Sequence, residues 1–243
     1  MKTVTVAIAL SVILTSVAHG CITQDLPSQR FSLEGRATTI DGEHLYTEYL
    51  HHRNDGRGDI LMVDYTDPGG TTFALKTVDY ACNPTTPSFE LKDMDAGTVE
   101  GVRWSESVIQ AYQGSDSVQL EVPEGPIIVD AGFDNAIKLS WEKMMSGEKV
   151  AYKYLFARDQ RFLKLRFHKS TPPDLPNQRF DDDIVFFKVG ANNFIFRMLS
   201  SPIYVGYQRD TRELKYYYGP SNLPAMKKQK EVLITYKALN ATS

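Results

Sequence analysis

The sequence predicts a mainly β protein: one strongly curved antiparallel sheet, or a half-barrel or barrel, with one central α-helix packed on its concave face. Three observations predict it. Short alternating runs of apolar and polar residues recur from Phe31 to Leu239, the period of a half-buried strand. Turn chemistry separates them, most clearly at Asp41-Gly42 and Asp67-Pro68-Gly69-Gly70, where Pro presets φ and Gly accepts a positive one. Only residues 133–146 repeat apolar side chains at helical spacing. About a dozen strands do not stay flat, because long sheets curl and closure removes exposed edges.

In order, the strand candidates begin with Phe31, Leu33 and Ala37–Ile40, then Leu45–His51 across the Asp41-Gly42 turn, Ile60–Tyr65, and Thr71–Tyr80 with Phe73, Leu75 and Thr77 on one face. Asn83–Pro87 breaks the pattern. Val99–Trp104, Val108–Tyr112 and Val118–Val122 follow, and Pro123–Pro126 breaks it again. Ile127–Val129 and Lys149–Phe156 flank the helix. Beyond it lie Phe162–His168, Ile184–Val189, Phe194–Leu199, Ile203–Tyr207, Leu214–Tyr218 and Val232–Leu239. Pro172, Pro173 and Pro176 mark residues 170–183 as a surface loop.

The helix carries Phe133, Ile137, Trp141 and Met144 or Met145 along one stripe, which must be buried somewhere. Asp130 is placed to cap its N-terminus and Gly147 to end it. The concave face of the sheet is the simplest place for such a stripe.

Residues 1–20 read as an export signal. Lys2 supplies the positive n-region, Val4–Val17 an apolar stretch of 14 residues, and Ala18-His19-Gly20 the small residues at a cleavage site. That stretch is short of the roughly 20 residues a membrane-spanning helix needs. The mature chain, 21–243, reads as one β-rich domain, without repeat or long linker. It keeps 26 basic against 30 acidic side chains, a net charge of −4. This balance argues against nucleic acid as a partner. Cys21, directly after the small residues, is read as a lipid attachment point that would anchor the protein to a membrane. The alternative is a disulfide from Cys21 to Cys82, permitted in an oxidising compartment.

Catalytic signatures are mostly absent: no G-x-S-x-G, H-E-x-x-H, Walker-type or dinucleotide glycine motif occurs, and no C-x-x-C. No cofactor and no metal are expected. His51 and His52 point to opposite faces of a strand, and with His44 they read as polar strand-end residues. Asp181-Asp182-Asp183 reads as a solvated turn, Arg57-Gly58-Asp59 as a hairpin turn, and Lys227-Lys228-Gln229-Lys230 as a solvated loop that could touch anionic headgroups. Asp130, Asp134 and His168 are the polar groups nearest the helix. Segments such as Ile184–Phe187 and Tyr216-Tyr217-Tyr218 are apolar or aromatic on both faces, which suits either plain core packing or a core beside a second apolar compartment.

Leu45-Tyr46-Thr47-Glu48, Tyr65-Thr66-Asp67-Pro68-Gly69, Val129-Asp130-Ala131-Gly132-Phe133-Asp134-Asn135 running to Trp141 and Gly147, and Tyr218-Gly219-Pro220-Ser221-Asn222-Leu223 resemble a family of uncharacterised exported proteins and lipoproteins of Gram-negative bacteria. The resemblance implies a periplasmic or outer-membrane-anchored address and brings no activity with it. More loosely, the strand-rich chain with a covering helix is similar to half-barrels of the lipoprotein-carrier type, which hold acyl chains; their usual set of several helices is missing here.

The expected function is therefore a non-enzymatic envelope protein that binds a lipid or other apolar ligand in a concave cavity, with Phe133, Ile137, Trp141 and Met145 as its helical wall. The alternatives are a structural or interaction module that docks on a membrane-associated protein, and an enzyme whose site is assembled only in space. The intact mass of the protein recovered from the envelope tests the address: it is expected to begin at Cys21. An acyl increment there marks lipidation, and loss of a hydrogen pair marks the disulfide. A mass that retains residues 1–20 contradicts the signal.

Overall fold

Period-two burial organises the chain. In the strand Ser88–Asp93, Phe89, Leu91 and Asp93 are buried and Glu90 and Lys92 are exposed, and in Asp59–Thr66 the buried set is Leu61, Val63 and Tyr65. One face of each strand thus meets the core and the other meets water. The computed structural model describes residues 32–54, 59–80, 83–105, 108–191, 202–226 and 231–239. The expected strand Phe194–Leu199 lies outside them, as do Cys21, Cys82, Arg57-Gly58 and 227–230.

The strands are β1 (Ser32–Thr38), β2 (His44–Asn54), β3 (Asp59–Thr66), β4 (Thr72–Asp79), β5 (Ser88–Asp93), β6 (Thr98–Ser105), β7 (Val108–Gln113) and β8 (Asp116–Glu121). β9 (Ile127–Val129) is followed by helices α1 (Gly132–Leu139) and α2 (Trp141–Met145). Then come β10 (Val150–Phe156), β11 (Arg161–Ser170), β12 (Ile184–Ala191), β13 (Ile203–Gln208), β14 (Leu214–Gly219) and β15 (Val232–Leu239). Gly42 and Gly70 take the positive φ their turns require, 90° and 87°.

The 15 strands among the described residues form one sheet, in the order β8-β7-β6-β5-β4-β3-β2-β1-β15-β14-β13-β12-β11-β10-β9. It is a meander whose first and last strands, β1 and β15, pair in the middle over Ser32↔Leu239 to Thr38↔Leu233. Its two edges, β8 and β9, are neighbours in sequence, joined by Val122-Pro123-Glu124-Gly125-Pro126. Proline cannot donate to a ladder, and β9 turns away from β8. It pairs instead with β10, in parallel, Ile127↔Lys153 to Val129↔Leu155. A parallel pair needs a crossover, and α1–α2 supply it.

The single expected helix is two. At Ser140 the backbone leaves the helical region (φ −97°, ψ 6°). Its hydroxyl meets the Tyr152 hydroxyl at 2.7 Å, so a β10 contact competes with helix continuation. Asp130 does not cap the helix: the N-cap is Ala131, with no side-chain bond, because the Asp130 carboxylate is held by Lys76 at 3.0 Å. The helix end is as expected, with the Gly147 N–H donating to Met144 O at 3.1 Å.

Two clusters make the core. One gathers Tyr46, Leu61, Val63, Tyr65, Val78, Leu91 and Val102 from the first strands with Ile127, Val129, Leu155 and Ile234. The other packs Ala136, Ile137, Trp141 and Met144 on Leu165, Phe167, Val185, Phe187, Val205 and Tyr207. The register ties them together. Tyr46, Ala37, Ile234, Tyr217, Val205 and Phe187 lie opposite one another in successive strands, and directly opposed side chains share a face. From β2 through β1, β15, β14 and β13 to β12 the two clusters therefore share one face, whereas on β9 and β10 they lie on opposite faces, with Ile127, Val129 and Leu155 in the first and Ile128, beside Tyr152 and Tyr154, in the second.

Met144 is fully buried and Met145 only partly, which sets their weights apart. Met144→Ala is expected to lower stability by about 2–5 kcal/mol and Met145→Ala by less than about 1 kcal/mol, read by urea unfolding. Equal effects of the two substitutions contradict this helical phase.

Candidate functional site

The inward face of the first strands carries charge among its apolar side chains. In β2 the inward series is Tyr46, Glu48, Leu50; in β4 it is Ala74, Lys76, Val78. Glu48 and Lys76 are 7% and 5% exposed. Buried ions at such positions must be paired, and both are. Lys76 Nζ donates to both oxygens of Asp130 at 3.0 Å. The Tyr236 hydroxyl donates to Glu48 Oε1 at 2.6 Å.

Asp130 reaches Lys76 from the turn between β9 and α1. Its φ of 40° is left-handed, a region Asp enters more readily than most residues. The same turn is tied to the β4–β5 connection: Val129 N donates to Thr85 O at 2.9 Å, and Asn135 Nδ2 to Pro84 O at 2.9 Å. Gly35, opposite Glu48 and Tyr236, has no room for a side chain. A Cβ there would stand 2.7 Å from the Tyr236 ring and 2.8 Å from Glu48 Cγ.

Residues 220–226 close over the same interior. Ser221 Oγ meets the Tyr46 hydroxyl at 3.5 Å, and Tyr217 donates to Pro220 O at 2.7 Å. Ala225 N donates to the buried carboxylate of Asp93 at 2.8 Å. Arg158 grips Glu100 with two nitrogens, at 2.8 and 3.1 Å, and also donates to Asn222 O. Four separate stretches of the chain thus meet in one place, through Tyr46 and Glu48, Tyr65, Asp130, and Ser221 with Asn222.

Electrostatically Lys76 lies between two carboxylates, those of Asp130 and Glu48. Burial pushes the Glu48 carboxyl above its ordinary range; the Tyr236 hydrogen bond and Lys76 only partly offset that, and Asp130 adds to it. Burial works against the Lys76 ammonium, but attraction to Asp130 and the hydrogen bonds between them outweigh it, and its pKa is raised. Tyr46, Tyr65 and Tyr236 are driven well up, first by burial and then by Glu48. They stay neutral as hydroxyl donors. The arrangement can hold a proton on Glu48 and present hydroxyls around it.

A second feature lies on the outer face of β5–β8. An open concavity of about 530 Å³ is lined by Glu90, Arg103, Gln110, Tyr112 and Ser117 among others. The Tyr112 hydroxyl donates to Glu90 Oε2 at 2.9 Å, and the Arg103 guanidinium lies 4.6 Å from the ring centroid.

Of the residues expected to line a ligand, Ile137 and Trp141 are 1% and 4% exposed. Trp141 stacks edge-on against Phe187 at 5.0 Å and Tyr207 at 5.8 Å. Phe133, partly exposed, meets Phe167 at 5.1 Å, and Met145 sits at the margin. Asp134 accepts from Tyr207 at 2.9 Å and pairs with Lys138 at 2.8 Å. His44 and His51 bond to Thr47 and Ser32. Asp183 accepts from Gln208 at 2.7 Å. Among the described residues no group of three or more His, Cys, Asp or Glu could hold a metal ion, and no helix is long and apolar enough to cross a membrane. Sequence reasoning missed Glu48, Lys76, Glu100 and Arg158. For Glu48 the signal was a charge in phase with the apolar side of an alternating strand; Lys76 lies on the phase opposite Phe73, Leu75 and Thr77, and it is that phase, with Ala74 and Val78, that faces inward.

These features define a class: a mainly β protein of one large sheet, with a buried network of tyrosines and paired charges. No known family profile matches the chain, and no curated protein matches it. Among solved structures the chain is similar to a β-barrel-like protein of the domain of unknown function DUF1849 from Brucella abortus. The TM-score is 0.40 at 7% identity, over 86% of this chain and 97% of that one.

Glu48 gives the site a pH signature. Its folded-state pKa lies above the reference of 4.5, so its favourable contribution is present below that value and is lost as pH rises through the folded pKa. Glu48→Gln keeps an acceptor for Tyr236 and removes the titration. Urea unfolding across pH is expected to show the variant gaining on wild type as pH rises above about 4.5. Parallel stability curves contradict the raised pKa.

Proposed function

We propose that the protein is a non-enzymatic binding protein of the cell envelope. Its rolled sheet holds a lipid or other apolar ligand on the concave face, along the wall of Phe133, Ile137, Trp141 and Met145. One observation carries this reading: Leu214 and Tyr217 pack against both the helical cluster and the tyrosine-lined cluster, so apolar contact runs from the helices to the interior. Phe133 and Met145 are the partly exposed members of the wall, where a ligand would first make contact, with Ile137 and Trp141 behind them.

The state of the interior charges favours binding over turnover. Lys76 is taken by Asp130, Glu48 by Tyr236, and Glu100 by Arg158, so each would have to leave a buried partner before meeting a substrate.

Native mass spectrometry of the protein purified from its own cells is expected to show a co-purified lipid or apolar molecule. Phe133→Ala with Met145→Ala is expected to weaken retention by about tenfold or more, at roughly 1 kcal/mol for each side chain truncated. A clean apo mass in the wild-type protein overturns the reading.

A further inference from the structure

The face of β11 and β12 turned away from the helices is basic, and it continues onto Lys153 at the margin of the core on β10. In β11, Lys164, Arg166 and His168 alternate onto one side. Lys153 of β10 stands directly opposite Lys164, and Lys188 of β12 directly opposite His168. Like charges placed directly across a ladder repel. Among the described residues, Lys153, Lys164, Arg166 and Lys188 make no ion pair. His168 senses the same field: burial, then the ammonium groups of Lys149 and Lys188, hold it below its ordinary pKa. Its Nδ1 is buried with no hydrogen-bond partner.

Several other surface cations are paired: Lys237 meets Glu34, Arg103 meets Glu90 and Lys215 meets Glu213. On β11 and β12 the cations instead cluster with one another, in a protein of net charge −3. These cations are spread in two dimensions, about 4.8 Å apart across strands and about 7 Å along them. They are carried on an extended sheet surface, which suits a plane of many anions better than one small ion. At the border Lys188 lies 5.2 Å from the Tyr204 ring centroid, and Tyr204 pairs with Tyr218 at 6.3 Å. Tyrosine beside lysine is the composition that settles at the level of lipid headgroups.

We propose that the face of β11–β13 turned away from the helices docks on an anionic membrane surface, with Lys164, Arg166 and Lys188 meeting lipid phosphates. The proposal goes beyond ligand binding inside the roll and uses none of the same side chains. The overall acidic balance disfavours nucleic acid, which needs a basic protein surface on a larger scale.

The test is flotation of the full chain, carrying Cys21→Ser so that no acyl group attaches. The vesicles are phosphatidylcholine alone, or with about one-third phosphatidylglycerol. The readout is the ratio of anionic to neutral binding, which cancels purely apolar association. The ratio is expected to be large at low salt and to collapse when the screening length falls below about 5 Å. Lys164→Gln, Arg166→Gln and Lys188→Gln together are expected to lower it roughly a hundredfold, about fivefold per charge. The exposed set Arg36→Gln, Lys92→Gln and Arg179→Gln should change it little, and so should Phe133→Ala with Met145→Ala, which separates this face from the interior. Relief of repulsion predicts that the triple variant on β11–β12 unfolds at higher urea than wild type, a readout independent of vesicles. No preference for anionic vesicles, equal loss in both triple variants, or displacement by millimolar inorganic phosphate overturns the proposal. So does binding to a DNA duplex that the β11–β12 variant loses in parallel.

Discussion

The ion pair between Lys76 and Asp130 is the interaction on which the rest of the structure depends. The sheet has two edges, β8 and β9, and no ladder joins them. The roll is held instead by contacts that leap from one part of the sheet to another. Lys76 on β4 reaches the turn after β9, and Glu100 on β6 reaches Arg158 after β10. Thr85 and Pro84 receive Val129 and Asn135. Of these, Lys76–Asp130 is the most deeply buried ion pair, at 5% and 12% side-chain exposure. It also fixes the turn at which the chain leaves β9 for the helices, and so sets where the helical layer lies. A buried pair of this kind adds little net stability over an apolar replacement, but it is expensive to break one partner at a time. It specifies geometry more than it adds energy.

Glu48 follows from that pair. Once Lys76 is committed to Asp130, the close partner of Glu48 among the described residues is the Tyr236 phenol, and burial raises its pKa. The tyrosines around it serve two roles. Their rings fill space between strands, and their hydroxyls satisfy the polar groups that β2 and β4 bring inside. Gly35 is the steric condition for this, because Tyr236 and Glu48 occupy the volume its side chain would take. The outward face obeys a different constraint. There, charge is solvated, and on β10–β11 Lys153 and Lys164 stand directly opposite each other across the ladder.

Much of the strand content was legible in the sequence, because turns and alternation are local. Asp41-Gly42 and Asp67-Pro68-Gly69-Gly70 announced their hairpins, and β3 and β7 follow their apolar period; β5, short and directly after the Asn83–Pro87 break, was not among the expected strands. The pairing of β1 with β15 was not legible. It joins residues about two hundred positions apart, and nothing in either strand names its partner. The parallel pairing of β9 was hidden for the same reason, although Pro123 and Pro126 marked a break. The helical stripe was visible, but its division at Ser140 depends on a hydroxyl contact with Tyr152. Asp130 shows how a correct local rule can lose. It has the chemistry of a helix cap, and a lysine from a distant strand takes its carboxylate. Of the interior charges, Glu48 was written in the sequence on the apolar phase of its strand, whereas Lys76 lies on the phase opposite Phe73, Leu75 and Thr77. Reading them required knowing that both strands face the same interior.

A double-mutant cycle on Lys76→Met and Asp130→Asn tests the central claim most directly, since Asn tolerates the left-handed backbone at that turn. Urea unfolding at neutral pH is expected to show each single substitution losing about 3–5 kcal/mol, with the double variant losing at least about 2 kcal/mol less than the two combined. Additive losses would show that the two groups do not hold the roll through one another, and would contradict the account.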